Sequence, residues 1–139
     1  MTPLLLALAG CAGDGIVDPT APDPLCTDVV PFRPELHCIQ QFVFTPTCAF
    51  SGCHANPGAQ LGMELYEGRT FMQIVGVPSV EDPNLLRIEP GNPDDSYLIR
   101  KIRGDPSILE ERMPFGGPYL TQEEIDVIVQ WVLDGAEDN

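Results

Sequence analysis

Apolar residues recur with a helical period in only a few stretches of this chain, and the clearest is near the C-terminus. Thr121-Gln122-Glu123-Glu124 reads as a capping box, in which a threonine hydroxyl and a glutamate carboxylate each satisfy a backbone N–H of the first turn. Ile125, Ile128, Val129, Val132 and Leu133 then fall on one face, and Gly135 supplies a stop. Asn92-Pro93-Asp94-Asp95 predicts a second start: asparagine can cap, proline suits the first helical position, and the acids favour the positive end of the helix. SYLIRKI forms its body. Upstream, Leu36, Ile39 and the apolar run 42–44 predict a helix that opens at Pro34-Glu35 and ends before Pro46. Residues 70–75, between Gly68 and Gly76-Val77-Pro78, predict a short helix.

No segment alternates apolar and polar residues convincingly, so the pattern predicts an all-α fold of about four short helices joined by long loops rich in proline and glycine. The chain has 21 acidic and 7 basic residues and a net charge of −14. That charge repels phosphate backbones and argues against nucleic acid as a partner. The basic residues cluster, with Arg100, Lys101, Arg103 and Arg112 close together, and that segment is expected near something negative.

Residues 4–10 read LLLALAG and run into Cys11. The apolar run is far short of the roughly 20 residues that a spanning helix needs. An apolar stretch, small residues and then a cysteine resemble the lipobox of bacterial lipoproteins. The resemblance implies cleavage before Cys11, acylation of its thiol and a lipid anchor in the bacterial cell envelope, on the periplasmic side or at the outer surface. No Lys or Arg precedes the run, and Ala12 stands where an acidic residue can retain such proteins at the inner membrane. Residues 1–10 are therefore read as a signal peptide and 11–33 as a flexible tether, because AGDGIVDPTAPDPLCTD has too little apolar surface to offset its ordering entropy. Residues 34–139 are the folded domain.

The chemistry concentrates in TPTCAFSGCHANPG, where His54 follows directly on Cys53 and four residues separate Cys53 from Cys48. Two cysteines with a histidine after the second are the elements of covalent haem attachment, here with an expanded CxxxxCH spacing whose loop Gly52 helps to bend. Farther on, Met113-Pro114-Phe115-Gly116-Gly117-Pro118 leads into the final amphipathic helix. Residues 43–136 thereby resemble a monohaem c-type cytochrome domain of the short helical kind. The resemblance implies a small cytochrome c-like fold around one covalent haem c, with thioethers to Cys48 and Cys53 and with His54 and Met113 as axial ligands to iron. It also implies that Arg100, Lys101, Arg103 and Arg112 partner the propionates, with Tyr97, Tyr119 or Trp131 as hydrogen-bond donors. A flat apolar cofactor would add buried area that four short helices lack.

With both axial positions filled there is no open site for substrate, so the implied role is that of an electron carrier, not an enzyme, working with redox protein partners. Once Cys11 is lipidated and Cys48 and Cys53 hold haem, Cys26 and Cys38 remain as a pair, and an oxidising compartment favours a disulfide between them. Other readings stay open at this level. One is an ordinary disulfide between Cys48 and Cys53 beside a surface histidine, as in a haem-free lipoprotein module that binds a partner or serves envelope structure. Cys38, Cys48, Cys53 and His54 offer a Cys₃His set for zinc, although thiolates persist poorly in an exported protein. His37 reads as a helix-surface residue, and Met63 and Met72 as core filler.

Overall fold

Helix α4, Gln122–Leu133, forms as its sequence predicts. Thr121 Oγ1 accepts from the Glu124 N–H at 3.2 Å, and the Glu124 carboxylate accepts from the Thr121 N–H at 2.7 Å. Ile125, Val127, Ile128, Trp131 and Val132 are buried along it, whereas Leu133, expected on the apolar face, is exposed. The computed structural model describes Cys26 and residues 30–139. Cys11, the expected signal peptide and most of the expected tether lie outside the described residues.

The other helices are α1 (Leu36–Ile39), α2 (Thr70–Ile74) and α3 (Tyr97–Arg103). α4 packs on α3 and α1, and Ile39, Val43, Ile74, Ile88, Ile99, Ile128 and Val132 are fully buried in one shared core. The first-turn donors of α1 are met by the far end of the sequence: Asn139 Oδ1 accepts from the Leu36 N–H at 2.8 Å, and the Asn139 carbonyl accepts from the His37 N–H at 2.9 Å. Cys26 and Cys38 form a buried disulfide with a Cα separation of 5.4 Å, and Phe32 tilts against Phe42 with ring centroids 5.5 Å apart. Cys26 and Phe32 thus belong to the core.

Two helical expectations are corrected in detail. α1 does not stop before Pro46 but continues as a π-helical segment, Gln40–Cys48, that passes through the proline. In an α-helix the proline ring meets the carbonyl four residues back; a wider turn pairs residues five apart, as the Ala49 N–H does with the Phe44 carbonyl at 2.8 Å. The helix expected from Asn92 is broken instead at Ser96, which is extended (ψ 111°) between a 3₁₀ turn, Pro93–Asp95, and α3. Ser96 is fully buried; its hydroxyl accepts from the Glu89 N–H at 2.8 Å and donates to the Asn92 carbonyl at 2.9 Å. This short-range bonding competes with helix continuation.

The all-α expectation itself is overturned. The described residues are about 39% helical and 6% strand, a small mixed and largely irregular fold rather than a clearly all-α cytochrome c-like domain. Between α2 and α3 the chain runs irregularly through turns and bends and pairs at isolated points: Val75 with Ile88 and Leu86 with Ser96 in parallel, Pro78 with Leu86 antiparallel. Each bridge is a single residue pair, interrupted by Gly76, Pro78 or Pro90, so no run is long enough to show a period of two.

Candidate haem site

The segment 48–55 closes on itself. The Cys48 carbonyl accepts from both the Phe50 N–H (3.0 Å) and the His54 N–H (3.2 Å), and the Phe50 carbonyl accepts from the Cys53 and Ala55 N–H groups at 3.0 and 3.1 Å. Gly52, at φ +82°, supplies the left-handed residue that this fold-back requires. The four intervening residues therefore bulge outward and return His54 to the start of the motif. Cys48 is half-buried, Cys53 is exposed, and both are free thiols. Burial, with a smaller contribution from Cys53, pushes the Cys48 thiol up to about 12, so it carries no charge at neutral pH.

His54 is held by the chain that follows it. Its Nδ1 lies 3.1 Å from the Met63 carbonyl, which can only accept, so the proton is on Nδ1 and Nε2 keeps its lone pair. Burial holds its pKa below the usual histidine value, outweighing the opposing pull of the Met63 carbonyl. A neutral imidazole with Nδ1–H committed to a carbonyl is the arrangement of a metal-ligating histidine. The Leu65 N–H donates to the His54 carbonyl at 2.8 Å, and buried Gln40 donates to the Leu65 carbonyl at 2.9 Å while accepting from the Thr70 hydroxyl. The residues behind the imidazole are thereby pinned to the π-helical segment and α2.

Cys48, His54 and Met113 line one cleft. Phe44, Leu61, Met63, Leu65, Val80, Leu98 and Ile102 make its apolar walls, and Ser79, Glu81, Arg87, Tyr97 and Lys101 its polar margin. Arg87 donates from Nη1 to the Gln73 carbonyl (2.7 Å) and from Nη2 to the Leu61 carbonyl (3.1 Å), and among the described residues none of its hydrogen bonds reaches a carboxylate. Partial burial lowers its pKa below the usual arginine value. An arginine without a carboxylate partner, in a chain of net charge −14, is suited to an anionic group on a ligand.

Most of the expected propionate partners sit elsewhere. Arg100 pairs with Asp95 at 3.2 Å and Arg103 with Asp94 at 3.1 Å. Arg112 donates to the Ile102 carbonyl at 2.9 Å and stacks over the Tyr119 ring at 4.3 Å. Trp131 is buried in the core and donates to the Glu137 carbonyl. Of the residues expected there, Lys101 and Tyr97 line the cleft, while Cys53 does not. Sequence reasoning missed Glu81, Arg87 and the Met63 carbonyl; a lone arginine inside the apolar run Leu85-Leu86-Arg87-Ile88 was the one available signal.

Of the donors that haem c needs, an imidazole with a free Nε2, a thioether and one uncharged cysteine thiol meet around apolar walls, and the second cysteine, Cys53, stands outside them. The residues do not fit the Cys₃His zinc set, because Cys38 is bonded to Cys26. Among the described residues, the one group of three ligand-type side chains within reach of each other is Cys26, His37 and Cys38, which that disulfide already occupies. No protein-family model, curated protein or solved structure matches this chain.

Proposed function

We propose that the chain is an electron carrier holding one haem c through Cys48 and Cys53, with His54 and Met113 as axial ligands. One observation carries the reading: His54 and Met113, far apart in sequence, line the same apolar cleft as Cys48, and the His54 tautomer leaves Nε2 available. Bound there, haem iron would supply one-electron chemistry. The protein's own part is to exclude water with Phe44, Leu61, Leu65, Val80, Leu98 and Ile102, to fix the imidazole through the Met63 carbonyl, and to offer Arg87 to a carboxylate. Cys53 is exposed and does not line the cleft.

The anchoring reading completes the proposal: Cys11 lipidation would hold the domain at a membrane of the bacterial cell envelope, where redox proteins are its partners. Among the described residues no helix is long and apolar enough to cross a membrane. A second reading draws on the Cys26–Cys38 disulfide, which suits a haem-free, disulfide-stapled lipoprotein module equally well. That reading leaves the apolar cleft without a purpose. Denaturing electrophoresis of protein matured in an oxidising compartment with a haem-lyase system separates the two: a band that stains for haem peroxidase supports the carrier, and an unstained band supports the module.

A further inference from the structure

The segment between α3 and α4 carries Met113, has no helix of its own, and is fastened to α3 through buried polar groups. The Lys101 ammonium donates to Glu81 Oε2 and Oε1 at 3.0 and 3.2 Å and to the Leu109 carbonyl at 2.8 Å, so all three of its N–H bonds are used. The Tyr97 hydroxyl donates to Glu81 Oε2 at 2.6 Å and accepts from the Leu109 N–H at 2.9 Å. Leu109 is thus held at both its N–H and its carbonyl. Four residues on, the Met113 N–H donates to the Lys101 carbonyl at 3.0 Å. The side chains of Lys101 and Glu81 are only 9% and 11% exposed, and Tyr97 is buried.

A buried ion pair adds little net stability, because desolvating two charges offsets most of their attraction; its best-attested use is to fix one arrangement among several. Here Glu81, Tyr97, Lys101 and Met113 all line the same cleft. We infer that Glu81, Lys101 and Tyr97 form a clamp that positions the Met113 thioether over the cleft and so determines whether it occupies the axial position. The inference rests on the proposed haem site, and the three residues are positioning residues that act through the backbone of Leu109 and Met113. Glu81 comes from the irregular chain between α2 and α3, so the clamp joins that chain, α3 and the methionine segment at one point.

The test uses the haem-loaded protein and two variants. Tyr97→Phe removes one oxygen and leaves the ion pair. Lys101→Met/Glu81→Gln removes both charges together, so that neither is left buried alone. Met113→Ala provides the reference for a protein without methionine ligation. Three quantities are read: amide hydrogen exchange at Leu109 and Met113, the ferric charge-transfer band of methionine ligation, and the reduction potential. In both variants exchange at Leu109 and Met113 is expected to accelerate about tenfold, the loss of roughly one hydrogen bond, with the Ile128 amide of α4 unchanged. The band should weaken and the potential should fall toward the Met113→Ala values, with covalent haem retained. A band and potential equal to those of the unmodified protein in both variants overturn the inference while leaving the haem site standing. Absence of the band from the unmodified protein overturns the Met113 assignment and the clamp with it; absence of haem overturns the site itself.

Discussion

Gly104 ends α3 at φ +73°, and a Cβ built there would lie 2.7 Å from Arg112 Cδ and 3.3 Å from Arg112 Cγ and Nε. Gly104→Ala therefore carries two costs. The first is local, since an L-residue in the left-handed region loses about 1–2 kcal/mol. The second is transmitted: Arg112 must move, which breaks its 2.9 Å bond to the Ile102 carbonyl and its stacking over Tyr119 at 4.3 Å. A hydrogen bond from a charged donor is worth about 1.5–3 kcal/mol when buried and less where half-exposed, as here, and the cation–π contact adds about 0.5–1 kcal/mol. The total expected for Gly104→Ala is about 2–4 kcal/mol. In an Arg112→Ala background the obstruction is gone, so the same glycine substitution should cost only the local part, about 1–2 kcal/mol. Urea denaturation of the four proteins, with equal slopes, gives the cycle. Equal costs in both backgrounds would refute the transmitted part of the reasoning. A cost below about 0.5 kcal/mol would refute the left-handed conformation itself.

Two further outcomes are expected. Cys26→Ala/Cys38→Ala should lower stability by about 3 kcal/mol, because the disulfide spans a sequence separation of 12 and closes that loop in the unfolded chain; denaturant titration giving a loss under about 1 kcal/mol would show that the staple does not constrain the fold. Cys11→Ser should release the protein from membranes with its haem content unchanged, as judged by fractionation and haem absorbance; retention in the membrane after a high-salt wash would defeat the lipid-anchor reading.

The parts of the fold legible in the sequence are those governed by neighbours along the chain. The α4 capping box, the short helix at Thr70–Ile74 and the stop at Gly135 each depend on residues within a few positions of one another. The parts that were not legible depend on distant residues. Pro46 reads as a helix end, yet the chain widens its turn and continues. Ser96 reads as helix interior, yet its hydroxyl is claimed by Glu89 and Asn92 while its backbone bridges to Leu86. The all-α reading failed for the same reason, since bridges one residue long leave no periodic trace. At the site, Cys48, Cys53 and His54 announce themselves by spacing and Met113 by its Met-Pro setting, but their surroundings do not. Charge clustering pointed to Arg100, Arg103 and Arg112, whose nearest needs are met by Asp95, Asp94 and the Ile102 carbonyl. Of that cluster only Lys101 lines the cleft, where tertiary structure also brings Arg87 and Glu81 from outside it.

Covalent haem at Cys48 and Cys53 is tested by the intact mass of the denatured, reduced protein after maturation with a haem-lyase system. One added haem is expected in the unmodified chain, with retention in Cys26→Ala/Cys38→Ala and complete loss in Cys48→Ser/Cys53→Ser. An unmodified chain with no added mass, or a Cys48→Ser/Cys53→Ser chain that still carries haem, would contradict it.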